Sequence, residues 1–136
     1  MTSKSAITQI VTSAYGARER GDLDGLMSAF AEDAVFELNG RGTGVSAFSA
    51  PIRGRAAIKT ALGELMHSFR FSDWRIVKLI VEGEHALLHW SGEVTFAPNG
   101  KSASFDVFDV YTFRDGKITS LHQSTDTAMV ASLAAV

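Results

Sequence analysis

Asp109 stands in the middle of Phe105-Asp106-Val107-Phe108-Asp109-Val110-Tyr111-Thr112-Phe113, a run whose aromatic content and alternation read as a β-strand. A carboxyl group at mid-strand among aromatics must be paired, protonated or turned to solvent, because an unpaired charge in an apolar setting is costly. Facing an apolar pocket, it becomes an acid or base usable near neutral pH. What stands opposite depends on register. Reading Ala97-Pro98-Asn99-Gly100 as a type I turn with a left-handed Gly100 in a bulge pairs Ala97 with Lys101. His89 then falls opposite Asp109, Ser91 opposite Val107, Glu93 opposite Phe105 and Leu87 opposite Tyr111, all on one face. A two-residue Asn99-Gly100 turn shifts the register by one and brings Trp90, Gly92 and Val94 beside Asp109 instead. The first register is the one adopted. It makes His89 and Asp109 a catalytic acid–base pair with Glu93 or Tyr111 assisting, since imidazole titrates near neutrality. The apolar character of Trp90, Val94 and Phe96 argues for the second, unless that face is covered by another subunit.

The elements that must position these groups follow from periodicity. Ser5 to Arg20 place Ile7, Ile10, Val11, Ala14 and Ala17 or Arg18 along one helical stripe ending at Gly21. Asp22 caps a second helix with Leu23, Leu26, Met27 and Phe30 on one side, and Ala34 to Leu38 then read as a strand closed by Asn39-Gly40. Gly40 to Arg53 form an irregular segment whose glycines and apolar Val45, Phe48 and Ile52 suit a lid over a pocket. Ala56 to Phe69 form a third helix, and strands follow at about 74–82, 85–97, 101–114 and 117–127, separated by Gly83-Glu84, Pro98-Asn99-Gly100 and Asp115-Gly116. A single domain over 1–136 is the expectation.

The segment Gly21 to Asn39, GDLDGLMSAFAEDAVFELN, resembles the helix-to-strand wording G-D-x-D-x-(apolar)-(apolar)-x-x-F-A-x-D-A of the nuclear transport factor 2-like superfamily, in its SnoaL-like polyketide cyclase and ketosteroid isomerase branches. The likeness runs over about residues 5 to 127 and is strong again at FDVFDVYTFRDGKI. It implies an α+β, cystatin-like fold, a cone-shaped, barrel-like curved mixed β-sheet wrapped around three helices of the N-terminal half, with an apolar pocket at the open end. Asp109 falls where the isomerases carry the protonated aspartic acid of their oxyanion hole. A gapless comparison turns Leu87, His89, Ser91 and Glu93 inward. The column of the isomerase base holds Leu38, and that of the helix-one tyrosine holds Ala14, with Tyr15 about 100° further round the helix. The column of a cyclase histidine holds Leu121, with His122 next to it. No arginine stands in register with Asp109 as epoxide hydrolase-like members require.

The resemblance therefore implies a small apolar or aromatic metabolite in a pocket whose substrate-binding residues are Tyr15, Phe36, Leu38, Trp74, Ser91, Glu93, Tyr111, Leu121 and Gln123. The chemistry, if any, is cofactor-free proton transfer as in an isomerase, cyclase or dehydratase; the rival is a non-catalytic binding or dimeric scaffold domain. A homodimer through the convex sheet face is expected, with Trp90, Val94 and Phe96 as its apolar patch. Composition narrows the rest. Thirteen basic and fifteen acidic residues leave a net charge of −2, and no basic run marks a nucleic-acid footprint. Cysteine is absent, and four histidines without ligand spacing point to no metal and no cofactor. His67 and His85 read as solvated, and His122, Ser124 and Asp126 as outer-face residues. Neither the N-terminus nor Ala128 to Val136 carries an apolar stretch fit for a bilayer, so a soluble cytoplasmic protein is expected.

Overall fold

The computed structural model describes residues 2–39 and 50–134. Helix α1 (Lys4–Arg20) starts where the Ser3 side chain accepts from the Ala6 amide and stops at Gly21, whose φ of 74° suits a left-handed cap. Its buried residues Ile7, Val11, Ala14, Tyr15 and Arg18 make one broad stripe. Helix α2 (Leu23–Met27) is capped by Asp22. Strand β1 (Phe30–Leu38) begins earlier than its β-rich core at Ala34 announced, because Phe30 pairs with Ile118 and Ala29 accepts from the Ile118 amide. Then come β2 (Ile52–Arg53), α3 (Arg55–Ser68), β3 (Phe69–Glu82), β4 (His85–Phe96), β5 (Lys101–Arg114) and β6 (Lys117–Ser124). A last helix, α4 (Thr127–Leu133), stands where the sequence suggested the end of a strand; the Asp126 side chain caps it at the Met129 amide.

The strand order is β2-β1-β6-β5-β4-β3, with β1 and β6 parallel and the other neighbours antiparallel. The sheet is curved and does not close. Its bending is visible in β3, which breaks register between Ser72 and Arg75 and again between Ile76 and Lys78, with Asp73 at a φ of 53°. The core lies between the concave face and helices α1, α2 and α3, with Val130 and Leu133 of α4 closing one side. No helix among the described residues is long and apolar enough to cross a membrane. The lid expected from Val45 and Phe48 lies outside the described residues.

The register of β4 on β5 differs from the one adopted. Phe96, and not Ala97, pairs with Lys101, so Leu88 faces Asp109, Trp90 faces Val107, Gly92 faces Phe105 and Ala86 faces Tyr111. Tertiary bonds explain the shift. The Ala97 amide donates to the Ser68 carbonyl at the end of α3 (2.8 Å), which removes it from the ladder, and the Phe96 carbonyl accepts from both Asn99 and Gly100. Asn99 in turn donates through its side chain to the Leu133 carbonyl of α4 (2.9 Å) and accepts from the Lys101 amide.

Candidate functional site

Period-two geometry turns Asp109 of β5 and Gln123 of its neighbour β6 to the concave side, where α1 brings Tyr15 onto them. The Asp109 carboxyl is 0% exposed and collects four donors. Tyr15 Oη donates to Oδ2, joined there by Trp90 Nε1 (3.1 Å) and Tyr111 Oη (3.2 Å), while Gln123 Nε2 donates to Oδ1 (3.0 Å). Tyr15 Oη itself accepts from Trp90 Nε1 (3.0 Å) and Gln123 Nε2 (3.1 Å). The Tyr15 ring is fixed by stacking on Trp74, centroids 4.9 Å apart and planes 13° from parallel.

Two effects oppose each other at this carboxyl. Burial disfavours its charge and the four donors favour it; burial wins, and the pKa rises from 3.8 to about 6. The phenols of Tyr15 and Tyr111 are pushed well above their ordinary range, first by burial and then by the adjacent Asp109 charge. Near neutral pH the cluster is thus a carboxylate wrapped by protonated donors. It forms the back of a largely apolar cavity of about 100 Å³, walled by Tyr15, Trp90, Tyr111 and Gln123 on the network side and by Phe36, Leu38, Leu121 and Val130 among others elsewhere. Asp109 lies behind that wall. A cavity of roughly 150 Å³ accepts one benzene ring, so this smaller one suits a short branched chain, or a single small ring that reaches past Arg18 and Phe71 into the adjoining groove.

The profile of the SnoaL-like domain family matches residues 11–121 of the chain. The chain belongs to the SnoaL-like family. This SnoaL-like protein superposes on a nuclear transport factor 2-like protein of unknown function from Burkholderia pseudomallei with a TM-score of 0.83 at 22% identity, covering 96% of this chain and 98% of that one. It is similar to TerC co-crystallised with polyporic acid, at a TM-score of 0.80 and 23% identity over 94% and 97% of the two chains. An LEH-like epoxide hydrolase of M. tuberculosis superposes with a TM-score of 0.72 at 22% identity, over 91% and 85% of the two chains. At these identities the likeness establishes the fold and not the chemistry. No curated protein matches the sequence.

Within this SnoaL-like cone the expected pairing of His89 with Asp109 does not form. His89 projects from the convex face, where its Nε2 lies 2.8 Å from Asp106 Oδ1 and its ring stacks on Phe108 at 4.4 Å. Ser91 and Glu93 share that outward row, paired with Asp106 and Ser104, so neither lines the cavity. The one-residue register shift accounts for all three corrections. The structure does bring Tyr15, Tyr111 and Gln123 around Asp109, with Phe36, Leu38 and Leu121 on the cavity wall and Trp74 behind Tyr15. The isomerase column at Ala14 understated helix α1, because Ala14 and Tyr15 both face the cavity. Two further residues belong to the cavity without a functional role expected from the sequence. Trp90 faces inward as the alternative register of a two-residue Asn99-Gly100 turn requires, and its apolar bulk is the signal for that register. Arg18 lies three residues after Tyr15, at the end of the apolar stripe where the sequence offers Ala17 or Arg18, and both are buried.

Proposed function

We propose that this SnoaL-like protein binds a small, mostly apolar metabolite bearing an oxygen and moves a proton on or off it through Tyr15 and Asp109, without a cofactor, as an isomerase, cyclase or dehydratase does. The observation that supports the reading is the fully buried Asp109 carboxyl, brought to about pH 6 and reached from the cavity through Tyr15. When a ligand proton moves to Tyr15 Oη, the proton that Tyr15 donates passes to Asp109; the reverse step returns it. A ligand donor can take an acceptor position on Tyr15 Oη because Trp90 Nε1 and Gln123 Nε2 each contact both Tyr15 and Asp109. Either can release Tyr15 and keep a partner, so neither donor is stranded. The same reading includes a homodimer through the convex face.

A second reading is binding without turnover. It draws on the fact that Asp109 is saturated with donors and set behind the wall, and that His89 is on the far face. Deuterium uptake at the α-carbon of cyclohexanone, followed by NMR in D2O, separates the two. Catalysis predicts uptake well above buffer, rising with pH through about 6 as Asp109 ionises and lost in Tyr15→Phe and Asp109→Asn. Uptake equal in wild type and Asp109→Asn, with cyclohexanone still quenching tryptophan fluorescence, leaves the binding reading alone.

A further inference from the structure

Arg18 is a cation without an anion. It is 8% exposed, lines the same cavity as Tyr15, and forms no ion pair among the described residues. A guanidinium offers five N–H donors, yet Nη2 makes one long bond to the Leu65 carbonyl (3.4 Å) and the plane rests 3.9 Å over the Phe71 ring. Burial draws its pKa down to about 10, so it keeps its charge at neutral pH. A buried cation left this poorly satisfied is costly to the empty protein, and a structural role alone gives no return on that cost.

We infer that the ligand of this cavity carries a carboxylate, which Arg18 binds through the planar fork of its guanidinium. Tyr15 and Arg18 are three residues apart on α1, a spacing that puts their Cβ atoms about 5–6 Å apart on one face. One helix face thus presents a proton-handling phenol and an anion clamp one turn along. A molecule of one ring or a short branched chain, with an oxygen or acidic proton at one point and a carboxylate a few bonds away, matches both. A carboxylate suits the fork bidentately and is neutralised by a single guanidinium, whereas a phosphate near neutral pH brings more charge than one arginine cancels. The approach is favourable as well. Arg18 and Phe71 also line an outer groove of about 600 Å³ whose charged members are Arg20, Arg70 and Glu19, with His67 beside them. Arg20 there leans on Asp22 at 3.8 Å, and the groove keeps a positive excess in a chain of net charge −2.

The inference rests on the cavity being the binding site, and the test separates the two claims. Benzoate, its neutral counterpart benzamide, and phenol are titrated by calorimetry and tryptophan fluorescence at pH 7.5 into wild type, Arg18→Met and Arg18→Lys. The expected result is benzoate binding at least tenfold tighter than benzamide to wild type, a preference that Arg18→Met abolishes and Arg18→Lys partly restores, with phenol affinity unchanged within twofold. Benzoate binding no tighter than benzamide overturns the carboxylate inference while phenol binding keeps the cavity reading; failure of phenol as well overturns both. Arg18→Met is expected to melt at or above the wild-type temperature. If it fails to fold, the benzoate-to-benzamide ratio of wild type decides without it.

Discussion

Asp109 gives the molecule a pH signature of its own. Its carboxyl holds a proton more tightly in the folded cone, at about 6, than in the open chain, at 3.8. Between those values the folded state carries the extra proton, so the contribution to stability is full below about pH 4 and is lost as pH rises through about 6. The loss is on the order of 3 kcal/mol at about 1.4 kcal/mol per unit. Urea unfolding from pH 4 to 7.5 should show that decline in wild type and a flatter profile in Asp109→Asn; parallel profiles reject the shift. Tyr15→Phe removes a donor from a fully buried carboxylate and is expected to lose about 2 kcal/mol at pH 7.5 and less at pH 5, where the carboxyl is largely protonated. At this scale the sequence was legible where parity alone decides. Asp109 and Tyr111 fall on one face of β5 by counting in twos, whereas Gln123 reaches that face only through the register shift between Thr112 and Phe113, which no alternation announces. Arg18 was not legible, since a helical stripe shows which residues are buried but not whether a buried arginine meets a carboxylate.

At the level of elements, amphipathic spacing in α1 and α3 and the helix-to-strand break after Met27 carried the fold, because those patterns are local. The β4–β5 register was not local. It is set by the Ser68 carbonyl taking the Ala97 amide and by α4 holding Asn99, two contacts that no turn rule contains. Helix α4 itself had a readable cap in Asp126, overlooked because strand alternation was carried too far. Removing that cap in Asp126→Ala should cost about 1 kcal/mol, and, since Val130 of α4 forms part of the cavity wall, it should also weaken phenol binding. Thermal melts with and without phenol check both. Gly92 on β4 lies where the bulged β3 comes close: a Cβ there would sit 3.2 Å from the Ser72 carbonyl and 3.4 Å from the Trp90 ring. Gly92→Val should therefore destabilise by about 1–3 kcal/mol in denaturant titration; wild-type stability would show that the β3 bend can relax.

At the scale of the whole molecule, the convex face carries the exposed large hydrophobic side chains found among the described residues. Val77, Ile80, Leu87, Phe108 and Val110 are 44–52% exposed, and Ile80, Leu87 and Val110 lie side by side across β3, β4 and β5. These, and not Trp90, Val94 and Phe96, are the candidates for self-association, since Trp90 and Val94 are turned into the core and Phe96 packs on Phe69. Light scattering is expected to give twice the 14.6 kDa chain mass, and Leu87→Lys to give the single mass. A monomeric wild type at micromolar concentration removes the dimer proposal.

The parallel pairing of β1 with β6 has a consequence in time as well as in space. Phe36 of β1 is laid against Leu121 of β6, and among the described residues β1 alone joins β2 to the rest of the sheet. During synthesis the helices and the β3–β5 meander can assemble while β1 waits with one edge bare, because its partner β6 is made after β3, β4 and β5. Gln123 joins Tyr15 and Asp109 only when β6 pairs with β5, so the buried proton network is completed after the meander has formed. A chain cut after Gly116 should accordingly retain helix but aggregate through β1, which sedimentation of the 1–116 fragment beside the full chain would reveal.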